Sequence, residues 1–288
     1  MISINPKEVT VPELQRHLQS AVGPRPIAFA STIDKDGNPN LSPFSFFNVF
    51  SSNPPILIFS PARSGRTNTT KDTYNNVKEV EEVVINIVNH EIVHQMSLSS
   101  SAYPKEVDEF VKAGFTPIPS ELIRPSRVKE SPVQMECKVN QVIELGDQGG
   151  AGNLIICEVL RMHIDERVLD ANGQIDQHKI DLVGRMGANW YVRANNEALF
   201  EVDKPITTLG IGFDNIPDSI KNSEVLTGND LGMLGNVEAL PSEVEISEFA
   251  KENNLKDFKE KELHDAAKFL LSQNNTADAW KTLLFKNK

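Results

Sequence analysis

The apolar and polar positions fall into two regimes. Up to about residue 195 the apolar runs are short and separated by turn residues. After Ser242 they recur at helical spacing. Thr10-Val11-Pro12-Glu13 predicts a helix start, with Thr10 as cap, Pro12 in the first turn and Glu13 completing a capping box. Leu14, Leu18 and Val22 share one face, and Gly23-Pro24 ends the helix, which is expected to pack outside a sheet. Ile27 to Thr32 reads as a strand, Asp34 to Asn38 as a hairpin turn with Gly37 at positive φ, and Asn40 to Ser42 as the returning strand. An aromatic segment from Pro43 to Asn48 follows, then a short apolar strand from Ile56 to Ser60.

Pro61 to Thr70 reads as a polar loop that opens a helix over Lys71 to Val80, capped by Thr69 or Thr70. Val83 to Val88 is a strand, and short helices are expected at Glu91 to Ser97 and Lys105 to Ala113. Thr116 to Pro132 is punctuated by proline and reads as a surface excursion. Met135 to Leu145 and Asn153 to Val168 predict long strands joined through the glycine-rich Gly146 to Gly152. Hairpins dominate and strands do not alternate with helices. The expected fold is therefore mainly β with α insertions, a small antiparallel barrel over residues 1–200. Residues 201–241 show little periodicity and are expected to wrap irregularly over the barrel. Residues 242–288 read as a C-terminal helical extension, opened by a capping box of Ser242 and Glu245.

Composition narrows the function. The 288 residues are 39% hydrophobic and 24% charged, enough for a sizeable core. A net charge of −11 argues against nucleic acid, which favours a basic face. Cys137 and Cys157 sit in strand-like runs and read as buried thiols. The opening MISINPKEV has no apolar leader core and no apolar run approaches about 18 residues, so the expected location is the cytoplasm, with no membrane partner. Of six histidines, only His90 and His94 are four apart, with no acid placed to complete a metal site. GxSxG, Walker and GxGxxG patterns are missing, and no catalytic side chain is assigned.

In this acidic chain, Arg63, Arg66 and Lys71 lie within nine residues, among Ser64, Thr67, Thr69, Thr70 and Thr73. The loop runs into a helix N-terminus, whose free N–H groups favour an anion. A phosphate there would take bonds from Arg63, Lys71, Thr73 and the backbone; a solvated loop with an ordinary cap fits the same residues. Three charge-assisted bonds give about 4–9 kcal/mol gross, against an association cost of about 4–15 kcal/mol. A phosphate ligand therefore needs an apolar body. Phe46 and Phe47, flanked by Ser45 and Asn48, offer apolar surface beside small polar groups, as a heteroaromatic ring would use. They serve equally as barrel core.

PRPIAFAST, SPFSFFNVFSSNPPILIFSP and TTKDTYNNV, in this order and spacing, resemble the flavin reductase-like family of FMN-binding split-barrel proteins. EFVKAGFTPIPS, SPVQMECKV and the stretch from Gly184 to Arg193 resemble its longer members near flavoredoxin. The resemblance covers about residues 10–195. It implies a homodimer of Greek-key FMN-binding split β-barrels, with FMN near the subunit interface. It implies that Thr32, Ser45, Phe46, Phe47 and Asn48 line the ring and ribityl chain, and that Ser60, Arg63, Lys71, Asp72 and Thr73 serve the phosphate end. Asp72, awkward beside a dianion, is expected to cap the helix or bond the ribityl hydroxyls. Trp190 and Tyr191 either close a ring-binding site or pack in an interface or core. The implied activity is hydride transfer from NADH or NADPH to FMN, with electrons passed on to free flavin, to an acceptor protein such as a monooxygenase, or to a small acceptor. An electron carrier reduced by a protein partner, or a non-catalytic flavin-binding module, are the alternatives.

Overall fold

The computed structural model describes residues 1–203 and 208–285. The chain divides into two compact units, Met1–Phe200 and Glu201–Lys288. Residues 204–207 and 286–288, which fall within the two C-terminal spans named above, lie outside the described residues.

The first unit opens with α1 (Val11–Ala21), then β1 (Ala28–Ile33), β2 (Pro39–Phe44), β3 (Phe47–Ser52) and β4 (Pro55–Phe59). Helix α2 (Asp72–Glu79) leads into β5 (Glu82–Ile87), and α3 (Val93–Leu98) and α4 (Glu109–Ala113) follow. The excursion holds the two-residue strands β6 (Pro117–Ile118) and β7 (Arg127–Val128). Long β8 (Val133–Glu144) and β9 (Asn153–Ile164) come next, then α5 (Gln177–Ile180) and the hairpin β10 (Val183–Arg185) with β11 (Tyr191–Arg193).

Seven strands form one antiparallel sheet in the order β2-β1-β5-β8-β9-β4-β3. Strands β2 and β3 are consecutive in the chain yet occupy its two edges. Only Ser45 and Phe46 separate them. A flat sheet of this size would hold its edges about 29 Å apart, at about 4.8 Å per strand. Three Cα steps span about 11 Å. The sheet must therefore curl until its edges nearly meet, and the Ser45-Phe46 link marks the seam.

Inside the curl, alternate strand residues form the core: Ala28 and Ala30, Leu57 and Phe59, Val83 and Ile85, Ile155 and Cys157. Cys137 is fully buried here, and the adjacent Cys157 thiol together with burial raises its pKa well above the ordinary value. Strand β1 is buried on its other face too. Phe29 and Leu41 pack with Ile92, Met96, Phe110 and Phe115, so α3 and α4 cover that side.

Several expectations change. Helix α1 forms, but none of its residues is buried, and Val11 and Leu18 are exposed. Thr10 is the N-cap without a side-chain cap bond. The aromatic segment runs into a strand, β3, because Phe47 pairs with Phe59 and packs on the core. Helix α2 is capped by Lys71, not by Thr69 or Thr70; the Thr70 hydroxyl donates to Asn75 Oδ1 at 2.9 Å.

The second unit is helical: α6 (Asp218–Lys221), α7 (Gly228–Gly235), α8 (Glu243–Glu252), α9 (Glu260–Ser272) and α10 (Thr276–Leu284). The Ser242–Glu245 capping box forms. The irregular wrapping segment expected at 201–241 is corrected. Ile216, Ile220, Leu231 and Leu234 share a core with Ala267, Leu271, Ala279 and Trp280. The Trp280 indole N–H donates to the Leu234 carbonyl at 3.0 Å. Glycines and short helices hid this periodicity, which becomes apolar only opposite α9 and α10.

Candidate active site

A cleft of about 210 Å³ lies at the seam. Strand β2 and the link supply Ser42, Pro43, Phe44, Ser45 and Phe46; the loop after β4 supplies Ser60, Ala62 and Lys71. Gln15 and Gln19 of α1 and Ser100 complete the wall. No acid lines it. Phe46 is 41% exposed, whereas its neighbour Phe47 turns into the core, as successive residues of an extended segment must. The Ser60 amide donates to the Phe46 carbonyl at 2.8 Å, which ties the end of β4 to the link. The Ser60 hydroxyl accepts from the Asn153 amide at 3.0 Å.

Four of the residues implied by the resemblance meet here: Ser45, Phe46, Ser60 and Lys71. Lys71 is exposed, and among the described residues its ammonium has no bonded acid. Two buried polar atoms lack partners in residues adjoining the lining, Ser99 Oγ beside Ser100 and Asn153 Oδ1 beside Ser60's hydrogen bond. A polar ligand or water is the ordinary remedy for such orphans.

The others are placed elsewhere. Thr32 and Thr73 are buried. The Thr32 hydroxyl accepts from Asn76 Nδ2 at 3.2 Å, and the Thr73 hydroxyl donates to Asn40 Oδ1 at 2.7 Å. Both bonds seat α2 on β1 and β2. Asp72 neither bonds its helix end nor lines the cleft. It borders a separate pocket of about 10 Å³ with Asp34, Asn40, Lys105 and Glu109, room for roughly one water. Burial raises the Glu109 pKa, offset by donors from Leu41 and Asn40. Arg63 closes its own loop, through Nε to Asn68 Oδ1 at 2.8 Å and Nη2 to the Asn68 carbonyl at 2.7 Å. The Asn48 side chain accepts from the next amide, Val49, at 2.8 Å. Trp190 is 77% exposed on the β10–β11 hairpin, and the Tyr191 ring lies 4.7 Å beneath the Arg185 guanidinium. Neither is among the cleft residues.

Sequence reasoning missed Arg25, Gln15 and Gln19. Arg25 is buried, and its Nη1 donates to the carbonyls of Gln19 and, at 2.6 Å, Val22. Its Nη2 donates to the Met186 carbonyl at 2.9 Å. Two prolines around it disguised the residue as part of a turn. The helical spacing of Gln15 and Gln19 was the signal for a shared polar face.

The curled sheet, closed at the Ser45-Phe46 seam with a cleft beside it, has the architecture of a split barrel. The chain belongs to the flavin reductase-like family: the model of the flavin reductase like domain matches residues 22–179. An uncharacterized protein of Aquifex aeolicus (strain VF5) is 37% identical over 196 residues, covering 68% of this chain and 97% of its own. The crystal structure of nitrilotriacetate monooxygenase component B from Bacillus cereus is similar at a TM-score of 0.65 and 32% identity, over 70% of this chain and 98% of that one. A protein of Shewanella frigidimarina NCIMB 400 described as having a split barrel domain shares the fold, at a TM-score of 0.59 and 24% identity over 70% of this chain and 100% of its own. No described helix is long and apolar enough to cross a membrane.

Proposed function

We propose that the chain binds FMN in the seam cleft and acts as an NAD(P)H-dependent flavin reductase. The observation that carries this reading is a wall that, among the described residues, holds no acid and bears Lys71 with its ammonium bonded to none, in a chain of net charge −11. Such a wall suits an anion. Phe46, Pro43 and Phe44 offer the apolar surface that a phosphate alone lacks. The residues present fit the group: Lys71 and Ser60 at the phosphate and ribityl end, Ser45 and Phe46 at the ring.

FMN, when bound, supplies the hydride-accepting ring. The chain's part is to hold the nicotinamide donor against it and to exclude water. No side-chain acid or base is needed for that transfer, which agrees with a wall of serines, glutamines and one lysine.

The cleft is smaller than the roughly 300–1,000 Å³ of ordinary ligand pockets. We propose that a second copy completes it. Edge strand β3 exposes Val49 and Phe50, and α1 exposes Val11 and Leu18, apolar surface suited to a homodimer. Electrons would leave to free flavin or to an acceptor protein, as the nitrilotriacetate component suggests by its name.

The test is an anaerobic absorption spectrum of the protein with FMN, before and after NADH and then NADPH. Rapid bleaching of bound flavin is expected and identifies the donor. Bound flavin that stays oxidised with both donors removes the reductase step and leaves an electron carrier. Failure to bind FMN removes the cleft assignment.

A further inference from the structure

We infer that Arg25 is the positioning residue of the seam cleft, the side chain that holds α1 and the β10–β11 hairpin against the barrel so that the ligand's wall is formed. The ligand half of this inference rests on the flavin reading above. The geometry of Arg25 stands apart from it.

Helix α1 precedes the first strand of the barrel and is an outlying element. None of its residues is buried, so packing alone does not fix its place. Yet α1 contributes Gln15 and Gln19 to the wall. What holds it is its C-terminal turn, where Arg25 takes the carbonyls of Gln19 and Val22, two of the four orphans every helix leaves there. A cation at that end also meets the negative pole of the helix.

The same guanidinium reaches two further segments. Its Nη2 bonds Met186 of the hairpin loop, while the Arg25 backbone exchanges both bonds with Arg185, at 2.9 and 2.8 Å. Its Nε lies 3.5 Å from Ser45 Oγ, a weak contact on the opposite wall. The hairpin is pressed close. A Cβ on Gly187 would fall 2.3 Å from Ser20 Oγ, and one on Gly184 would fall 2.7 Å from Pro24 Cβ. Three segments distant in sequence thus converge on one planar fork.

A lysine cannot replace that fork. Arginine presents donors in fixed, diverging directions; an ammonium is a single point on a flexible stem. All acceptors of Arg25 are neutral oxygens, and no described acid pairs with it. Burial, and to a lesser degree the neighbouring Arg185, lower its pKa from the ordinary guanidinium value.

The experiment compares the full-length protein with Arg25→Met and Arg25→Lys by hydrogen exchange and by FMN titration. In both variants, peptides covering residues 11–22 and 183–193 are expected to exchange about tenfold faster or more, while β5 and β8 stay unchanged. FMN affinity is expected to fall about tenfold, the scale of one lost charge-assisted bond, with a shifted visible band of the bound flavin. Unchanged exchange in both segments overturns the proposal. So does full restoration of exchange and affinity by Arg25→Lys, which would leave charge alone as the requirement. Faster exchange throughout β5 and β8 in both variants overturns it as well, because Arg25 would then serve the whole fold. Local loosening with unchanged FMN affinity would sever the residue from the cleft. If the unaltered protein binds no FMN, the flavin reading fails, and the exchange data still decide whether Arg25 holds the helix and hairpin.

Discussion

The Thr73 hydroxyl donates to Asn40 Oδ1 at 2.7 Å, and Asn40 Nδ2 in turn donates to Glu109 at 3.2 Å. This buried chain joins α2, β2 and α4. Thr73 is therefore a clamp between elements. Replacing it by valine keeps the shape and leaves the Asn40 oxygen without its donor. Thr73→Val is expected to cost about 1–3 kcal/mol of stability, read from the urea midpoint. FMN affinity is expected to stay within about twofold. A variant of unchanged stability that loses FMN would return Thr73 to the site.

Lys71, two residues earlier, behaves in the opposite way. Lys71 is the cap, with extended backbone and an exposed side chain at the cleft, whereas the Thr73 side chain turns inward to Asn40. Lys71 lines the cleft, and among the described residues its ammonium is bonded to no acid. Lys71→Ala is expected to leave the thermal midpoint unchanged and to weaken FMN binding about tenfold or more. Riboflavin, without the phosphate, should bind both forms alike. Equal FMN dissociation constants for the two proteins would remove Lys71 from the site.

These two residues show what could be read from the sequence. Strand alternation, the Asp-Gly turn and the capping signals of residues 34–38 and 242–245 are local, and they placed most of the sheet and the last helices. Thr73 and Lys71 look equivalent in a basic loop; only the direction of each side chain separates them, and that depends on where α2 docks. Strand β3 was hidden because Phe47 reads as either ring contact or core until Phe59 lies opposite it. Arg25 was illegible for the same reason. Its acceptors on α1 are near in sequence, but the Met186 carbonyl lies 161 positions away, and only the folded chain brings the hairpin to it. The core of residues 208–241 is completed by Trp280 and Leu271, so its own stretch carries too few apolar positions to announce helices.

The Asp34 turn makes the fold sensitive to acid. The Asn38 side chain and backbone N–H, with Lys105 beyond them, hold the Asp34 carboxyl well below the usual carboxylate range. A depressed folded-state pKa contributes stability above the unfolded value of about 3.9, and that contribution is lost as pH falls through the folded value. Asp34→Asn is expected to be less stable than the unaltered protein at pH 7. The gap should narrow as pH drops below about 4. Urea midpoints at pH 7, 4 and 2.5 measure it, and a gap that stays constant across them would show that the carboxylate charge is not what steadies the turn.

The boundary between the two units decides which truncations are informative. Ending the chain after Pro241 keeps Ile216, Ile220, Leu231 and Leu234 but removes Ala267, Leu271, Ala279 and Trp280, the other half of one core. Each large side chain so uncovered forfeits about 1.5–3 kcal/mol of burial. The 1–241 fragment is therefore expected to bind a hydrophobic dye strongly and to run as aggregates on size exclusion. Ending after Phe200 removes that core whole, and the 1–200 fragment is expected to unfold cooperatively and to retain FMN binding, since every cleft residue precedes Ser101. The reverse pattern, a well-behaved 1–241 beside an aggregating 1–200, would mean that residues 208–241 complete the barrel unit instead of the helical one.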